Sequence, residues 1–228
     1  MKGNKILKPF FILSRYKEDP SWIKEYTENY IIYNKGPQDL PDFKTKVMPN
    51  IGGNQYDITH FIYENYENLP DLMAFLQAFP WDHCNREKFD KIIYNEFFTS
   101  LESYEHLENT HAHIIDSDGG YMEINNSWYI PAHNSTYNLT CKYKSYHEFM
   151  LRLFKDYDAP TYIRFAPGSQ YLITKKDALR YSKKFWKFLM DELPKNGMTE
   201  AHIIERSLYY IFTKKYRVRD YFKDGVLL

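Results

Sequence analysis

Three short runs constrain this chain more than anything else in it: Pro9-Phe-Phe-Ile-Leu-Ser14, Tyr30-Ile-Ile-Tyr33 and Leu72-Met-Ala-Phe-Leu-Gln77. The first and third are apolar with no polar alternation, so they read as strands buried on both faces. Polar Arg15-Tyr-Lys-Glu-Asp19 follows the first run, and Pro20 sits where a helix's first turn tolerates it, with Asp19 as expected N-cap. A short helix over Ser21–Glu28 then leads to the second run, which Asn34-Lys-Gly36-Pro37 closes. Strand, helix and strand in so short a span make a βαβ unit with a parallel pair.

The rest of the chain alternates in the same manner. A loop rich in proline and charge covers residues 36–50 and ends at Asn50-Ile-Gly-Gly53. Ile58, Phe61, Ile62 and Tyr66 recur at helical spacing and predict a helix from Gln55 to Asn68. A second helix is expected from Arg86 to Leu107, then two short strands between His113 and Ile124 around an Asp-Gly-Gly turn, and an irregular polar stretch over 125–144. Further helices are expected over Tyr146–Lys155, Lys176–Leu193 and Glu200–Lys215, with a strand at Thr161–Phe165, a turn at Pro167–Gln170 and extended chain at Tyr171–Thr174. The pattern predicts an α/β class: one domain over 1–228 with a mostly parallel central sheet flanked by helices.

Charge narrows the partners. Thirty basic residues balance thirty acidic ones, so neither a nucleic-acid binder working by bulk electrostatics nor a polybasic membrane tether is expected. No stretch approaches the apolar length of a membrane helix, and the apolar run near the N-terminus is too short for a signal-peptide core, so a cytoplasmic protein without a transmembrane segment is expected. Cys84 and Cys141 make neither a disulfide framework nor a zinc site, and read as free thiols in a reducing compartment. The 22 Tyr, 16 Phe and 4 Trp supply many half-buried rings with apolar faces, platforms of the kind that bind sugars or bases.

In an open parallel sheet, ligands bind beyond the carboxyl ends of the strands. The unusual polar groups stand there: Ser14, Arg15, Tyr16, Glu18 and Asp19 after the first strand; Asn34, Lys35 and Gly36 after the second; Gln77, Asp82 and His83 after the third; and Gly168, Ser169 and Gln170 after the fourth. The loop after the first strand has no Gly-x-Gly-x-x-Gly and no Walker-type glycine loop, and the chain has no Gly-x-Ser-x-Gly elbow and no His-Glu-x-x-His. His111, His113, Asp116 and Asp118 form the densest set of possible metal ligands, and Asp116-Ser-Asp118 has the Asp-x-Asp form that many sugar transferases use to hold Mg²⁺ or Mn²⁺ against a diphosphate. The Asp-Gly-Gly that follows is also ordinary turn chemistry.

Several segments resemble the DUF3431 family, a group of glycosyltransferase-like proteins. They are Leu13-Ser-Arg-Tyr-Lys-Glu-Asp-Pro-Ser-Trp-Ile23, Ile32-Tyr-Asn-Lys-Gly36, Pro49-Asn-Ile-Gly52, Phe75-Leu-Gln77 with nearby Asp82-His83, Phe165-Ala-Pro-Gly-Ser-Gln-Tyr-Leu-Ile173 and Ile204-Glu-Arg-Ser-Leu-Tyr-Tyr-Ile-Phe212. The chain departs from the family pattern at Gly53-Asn54, where Arg-Glu is usual, and at Ala78, where glycine is usual. The resemblance implies a GT-A-like fold and transfer of a sugar from a nucleotide-sugar donor to a glycan or other hydroxyl acceptor, with inversion, in polysaccharide biosynthesis. The nucleotide-binding half would span about 8–83 and the acceptor side about 84–228.

On that reading Ser14, Arg15, Tyr16, Glu18, Asn34, Lys35, Asn50, Gly52 and Gln77 would bind the donor, with Arg15 and Lys35 facing the diphosphate and Tyr16 stacking on base or ribose. His83, Gly168, Gln170 and Arg206 would meet the acceptor. Glu205, among Ile203, Ile204 and Leu208, is the expected base, its pKa raised by partial desolvation; Asp82 is the runner-up. Asp116 and Asp118, or Asp82, would hold Mn²⁺ or Mg²⁺ if the enzyme uses a metal, while the lack of Asp-x-Asp after the third strand resembles metal-independent branching transferases. Two rival classes stand beside this one: a carbohydrate- or nucleotide-binding module without catalysis, and an interaction protein whose tyrosines cover a partner.

Overall fold

The computed structural model describes residues 7–107, 110–115, 120–123, 129–130, 133–134, 139–140, 142–143, 146–193 and 199–223. In chain order the strands and helices are β1 (Phe10–Arg15), α1 (Ile23–Tyr26), β2 (Tyr30–Asn34), β3 (Thr45–Val47), α2 (Gly53–Glu64), β4 (Leu72–Gln77), α3 (Arg86–Ile92), β5 (Thr99–Ser100), β6 (His111–Ile115), β7 (Gly120–Glu123), β8 (Tyr129–Ile130), β9 (His133–Asn134), β10 (Leu139–Thr140), α4 (Tyr146–Leu153), β11 (Tyr162–Arg164), β12 (Tyr171–Thr174), α5 (Lys175–Ala178), α6 (Lys183–Glu192) and α7 (Thr199–Thr213).

The apolar runs take the middle of a six-stranded sheet ordered β3-β2-β1-β4-β12-β5. Both faces of that sheet are covered, which is why the runs do not alternate in polarity. Phe11 and Leu13 of β1, with Leu72, Ala74 and Leu76 of β4, join Trp22, Ile23 and Phe89 on one face. Ile12, Met73 and Phe75 point the other way, onto Ile58, Phe61 and Ile62 of α2 and the aromatic residues of α6 and α7. Side chains of successive strand residues leave on opposite faces, so a shift of one residue would exchange both clusters. A smaller sheet, ordered β11-β6-β7-β8, stands apart, and β9 pairs with β10.

The sheet corrects the expectation of a mostly parallel one: it is mixed. β1 runs parallel to β2 and to β4, and β2 parallel to β3, but β12 is antiparallel to both β4 and β5. The reason lies in β5 and β12. The helix expected to run to Leu107 stops at α3, because Phe97, Phe98 and Thr99 are aromatic or β-branched and favour extended chain. Phe98 there stacks on Tyr171 and Phe212, at 5.4 and 5.3 Å between ring centroids. The expected strand at Thr161–Phe165 exists as β11, but it joins the smaller sheet; β12 enters the main one.

Other boundaries differ for local reasons. Asp19 does not cap α1; it accepts the N–H of Ser21 in a turn, and Trp22 holds the cap position. The helix expected over Lys176–Leu193 is two, because Thr174 caps α5 and Ser182 starts α6 by accepting the N–H of Phe185. The stretch expected to be irregular contains β8, β9 and β10.

Candidate active site at the carboxyl edge of the sheet

After β1, the chain builds β2 and β3 on one flank and then crosses to place β4 on the other. The point where the strand order reverses thus falls between β1 and β4, at whose carboxyl ends open sheets bind ligands, and the loops leaving the two strands meet where Trp22 Nε1 donates to the Ala78 carbonyl at 2.6 Å. Ser14 lies opposite Gln77, and Arg15 opposite Asn34, so the polar residues at the ends of all three strands share one edge. β12 starts at this edge because it runs the other way, and it brings Gly168, Ser169 and Gln170 to the same rim.

Arg15 is buried at 3% exposure, an unusual place for a guanidinium. Its Nε donates to the Glu18 carbonyl at 2.9 Å, and its other nitrogens to Asn34 Oδ1 and Gln38 Oε1, both at 2.8 Å. All these acceptors are uncharged, so the guanidinium keeps its positive field while its geometry is fixed. Gly36 lets the two exit loops touch: a Cβ there would lie 1.6 Å from the Tyr16 carbonyl oxygen. The Tyr16 ring itself is 42% exposed and open to a ligand. Glu18, also exposed, accepts the N–H groups of Tyr16 and Lys17 at 2.8 and 2.9 Å and shapes the turn.

Lys35 takes a different role. Its ammonium is 3.0 Å from Asp57 Oδ2, with both side chains 3% exposed, and it donates to the carbonyls of Gly53 at 2.5 Å and Ile51 at 3.4 Å. Burial pushes the Asp57 carboxyl up to about 6, against the opposing pull of Lys35 and a smaller one from Ser14. The lysine therefore ties β2 to the start of α2. The next bridges come from the same turn of α2: Asn54 Nδ2 donates to the Gly168 carbonyl at 2.5 Å and Gln55 Nε2 to Ser169 Oγ at 2.9 Å. Gln55 Oε1 is buried with no hydrogen-bond partner among the described residues.

Gly168 is the tightest point of the rim. Its φ is +70°, and a Cβ would come within 2.8 Å of His83 Cδ2 and 3.0 Å of Gln77 Nε2. The Glu205 carboxylate is near enough for the Gly168 N–H to help lower its pKa, and Arg206 and His202 stand against the same carboxylate, Arg206 in hydrogen-bond contact and His202 Nδ1 at 3.8 Å. Burial alone would raise the Glu205 pKa; Arg206, His202 and the Gly168 N–H outweigh it and hold it below the ordinary value. The expected raised pKa is thus reversed, because the adjacent guanidinium supplies more than desolvation takes away. His83 is half-buried, and burial pulls its pKa below the ordinary histidine value, against the opposing pull of Glu205 and Asp82. Its Nδ1 is 2.9 Å from the Tyr104 hydroxyl, which donates to the Asp82 carbonyl at 3.2 Å.

The remaining candidates separate. Gln170 is fully buried; its Oε1 accepts the Gln77 N–H at 3.2 Å and its Nε2 donates to the Pro80 carbonyl at 3.2 Å, so it locks β12 to the loop after β4. Asp82 is exposed and joins through its backbone carbonyl. Asn50 is exposed, and Gly52 is buried at the N-terminus of α2 against Leu193. Arg206 is 2% exposed and stacks over Phe165 at 4.3 Å. Trp81 packs edge-on against Trp22 and Phe89. Asp116 and Asp118 lie outside the described residues, and among the described residues no group of three or more His, Cys, Asp or Glu gathers as metal ligands would. No helix of the described residues is long and apolar enough to cross a membrane.

Asp57, Asn54, Gln55, Tyr104 and His202 were not singled out by the sequence. The one available signal was Asn54-Gln55-x-Asp57, a polar turn at the head of a helix whose later residues are apolar. No curated protein and no solved structure matches the chain. The family model described as protein of unknown function (DUF3431) matches residues 11–223, nearly the whole of it. The resemblance carried by the rim motifs is therefore a true membership: the chain belongs to the DUF3431 family.

Proposed function

We propose that the chain is a glycosyltransferase that moves a sugar from a nucleotide-sugar donor to a hydroxyl acceptor at the carboxyl edge of its main sheet, with a GT-A-like arrangement in which β1–β4 serve the donor and the β12 side serves the acceptor. The observation that carries the reading is the meeting of Arg15, Tyr16, Gln77, His83, Gly168 and Glu205, from distant parts of the chain, around the point where the strand order reverses. The exposed Tyr16 ring offers a stacking face for base or ribose, and the buried Arg15 charge offers a positive field for a diphosphate.

The reaction needs a group that accepts the acceptor's hydroxyl proton. His83 suits this better than Glu205: burial holds its pKa below the ordinary value, so its imidazole is neutral near pH 7, and the tautomer with the proton on Nδ1, toward Tyr104, leaves Nε2 as the base, whereas Glu205 is already paired with Arg206. In this step Nε2 takes the proton while the acceptor oxygen bonds to the anomeric carbon. The bond from that carbon to the diphosphate breaks, and its electron pair leaves with the diphosphate. Glu205 steadies the imidazolium that forms and holds the Gly168 turn. A Mn²⁺ or Mg²⁺ ion on Asp116 and Asp118 belongs to the same proposal as an open arm of its test.

One observation favours the second reading, a binding module without catalysis: Lys35 and Glu205, two of its chemically active side chains, are closed by internal partners. A thermal-shift screen of UDP-, GDP-, dTDP- and CMP-sugars, with and without Mn²⁺, followed by donor hydrolysis on any hit, separates the two. Transfer predicts stabilisation by at least one donor and slow hydrolysis abolished by His83→Asn; stabilisation without hydrolysis favours the module. A flat response to every donor at millimolar concentration removes both.

A further inference from the structure

A chain with balanced charge need not spread that balance evenly, and this one does not. A hollow of about 570 Å³, away from the rim, is lined among the described residues by Lys155, Arg180, Lys215, Arg217 and Lys223, with Tyr181, Tyr216 and Val218. No acidic side chain is among these. A neighbouring hollow of about 480 Å³ adds Arg152, Lys184 and Lys187 against a single acid, Asp191. The two flank the turn at Asp220–Phe222: Asp220 is gripped by Lys155 at 2.6 Å and Lys223 at 2.8 Å on one side, and the Tyr221 hydroxyl donates to the Arg152 carbonyl on the other.

We infer that the first hollow is a binding site for a small ligand carrying two or more phosphate groups, separate from the rim and independent of the sugar-transfer reading. Its volume of about 570 Å³ is within the range of small-molecule sites, though it opens broadly to solvent. Two of its cations have fixed partners. Arg217 is fixed by Asp156, with Nε 3.0 Å from the carboxylate, and Arg180 by the carbonyls of Phe212 and Lys214. Neither carboxylate that pairs with these cations, Asp156 or Asp220, is among the described lining residues. Arg180 has no carboxylate partner and Lys215 no partner of any kind among the described residues, so positive charge stays available. Guanidinium groups match the fork of a phosphate, and clustered ammonium groups favour a ligand of several charges over a single one. A nucleic-acid duplex or a lipid surface would ask for a basic face extending well beyond these side chains, and both enter the test below.

Calorimetric titration of the full chain with inorganic tripolyphosphate tests this. The expected result is saturable binding to one site, weaker at high salt, and about tenfold weaker, or about 1.4 kcal/mol, in Lys215→Glu. Because Lys215 has no partner among the described residues, its loss leaves the fold intact; Lys223→Gln gives a second reading, and tripolyphosphate should also shield Lys215 from acetylation. Absence of saturable heat overturns the inference, and so does binding that Lys215→Glu and Lys223→Gln leave unchanged, since the anion then sits elsewhere. Binding confined to a short DNA duplex, or to phosphatidylcholine vesicles containing phosphatidylserine, also overturns it. A nucleotide-sugar response at the rim should be the same in Lys215→Glu as in the parent, so this site and the rim fail separately.

Discussion

The rim and the basic hollow both collect charge, but they handle it in opposite ways. At the rim, Lys35 meets Asp57, Arg206 meets Glu205, and Arg15 is wrapped by neutral oxygens, all of it buried. In the hollow, Lys155, Arg217 and Lys223 meet exposed acids at the surface, Arg180 and Lys215 meet none among the described residues, and all five cations stand in the open. The difference teaches what each charge is for. Paired, buried charge fixes loops, so that a few groups such as Tyr16 and His83 are presented in set positions. Exposed charge orders little of the fold and, on the inference above, is left to meet an anion. Breaking rim pairs should therefore unfold the protein, and breaking hollow cations should not.

The largest effect is expected at the buried ion pair. Asp57→Asn strands the Lys35 ammonium and should cost about 3–5 kcal/mol in urea denaturation, while the double change Lys35→Met with Asp57→Leu should recover most of that. Equal losses in the single and double variants would show that the pair does not act as a unit. Gly36→Ala should cost about 1–3 kcal/mol, because its Cβ meets the Tyr16 carbonyl and the exit loops must part. Any donor-induced stabilisation should shrink with it.

The pH dependence sharpens the contrast within the rim. Asp57 has a raised pKa, so the stability linked to it is full below its ordinary value of 3.8 and fades as pH rises through about 6. Glu205 has a lowered pKa, so its contribution is present above its ordinary 4.5 and is lost as pH falls through its folded-state value. Glu205→Gln should flatten the acid limb of the stability curve and leave the fall toward and above about pH 6 set by Asp57 in place; an unchanged acid limb would contradict the pairing with Arg206. The smallest effect belongs to the hollow: Lys215→Glu should shift unfolding stability by less than about 0.5 kcal/mol.

Much of the fold could be read from the chain because its core strands carry no charged or amide residue before their carboxyl ends. β1, β2 and β4 stand where their apolar runs stand, and the polar residues that end them converge as the crossover rule requires. What escaped was set by contacts distant in sequence or by short caps. β5 owes its place to pairing with β12, and Phe98 to stacking on Tyr171 and Phe212, none of which local periodicity encodes. The break between α5 and α6 was written in Thr174-x-x-Asp177 and Ser182, whose hydroxyls start each helix. In the site, types were legible and distant partners were not: Asp57, which decides that Lys35 is a tie, gave no signal, whereas Arg206, next to Glu205 in the chain, was readable as the salt-bridge partner that makes Glu205 a weakened base.

Hydrogen exchange with and without a saturating nucleotide-sugar tests the central claim most directly, since it reads where a ligand sits whatever the chemistry. The rim account predicts slowed exchange in 14–18, 34–38, 77–83 and 168–170 together, with 214–223 unaffected. Slowing confined to 214–223, or spread over loops at the opposite edge of the sheet, would contradict it.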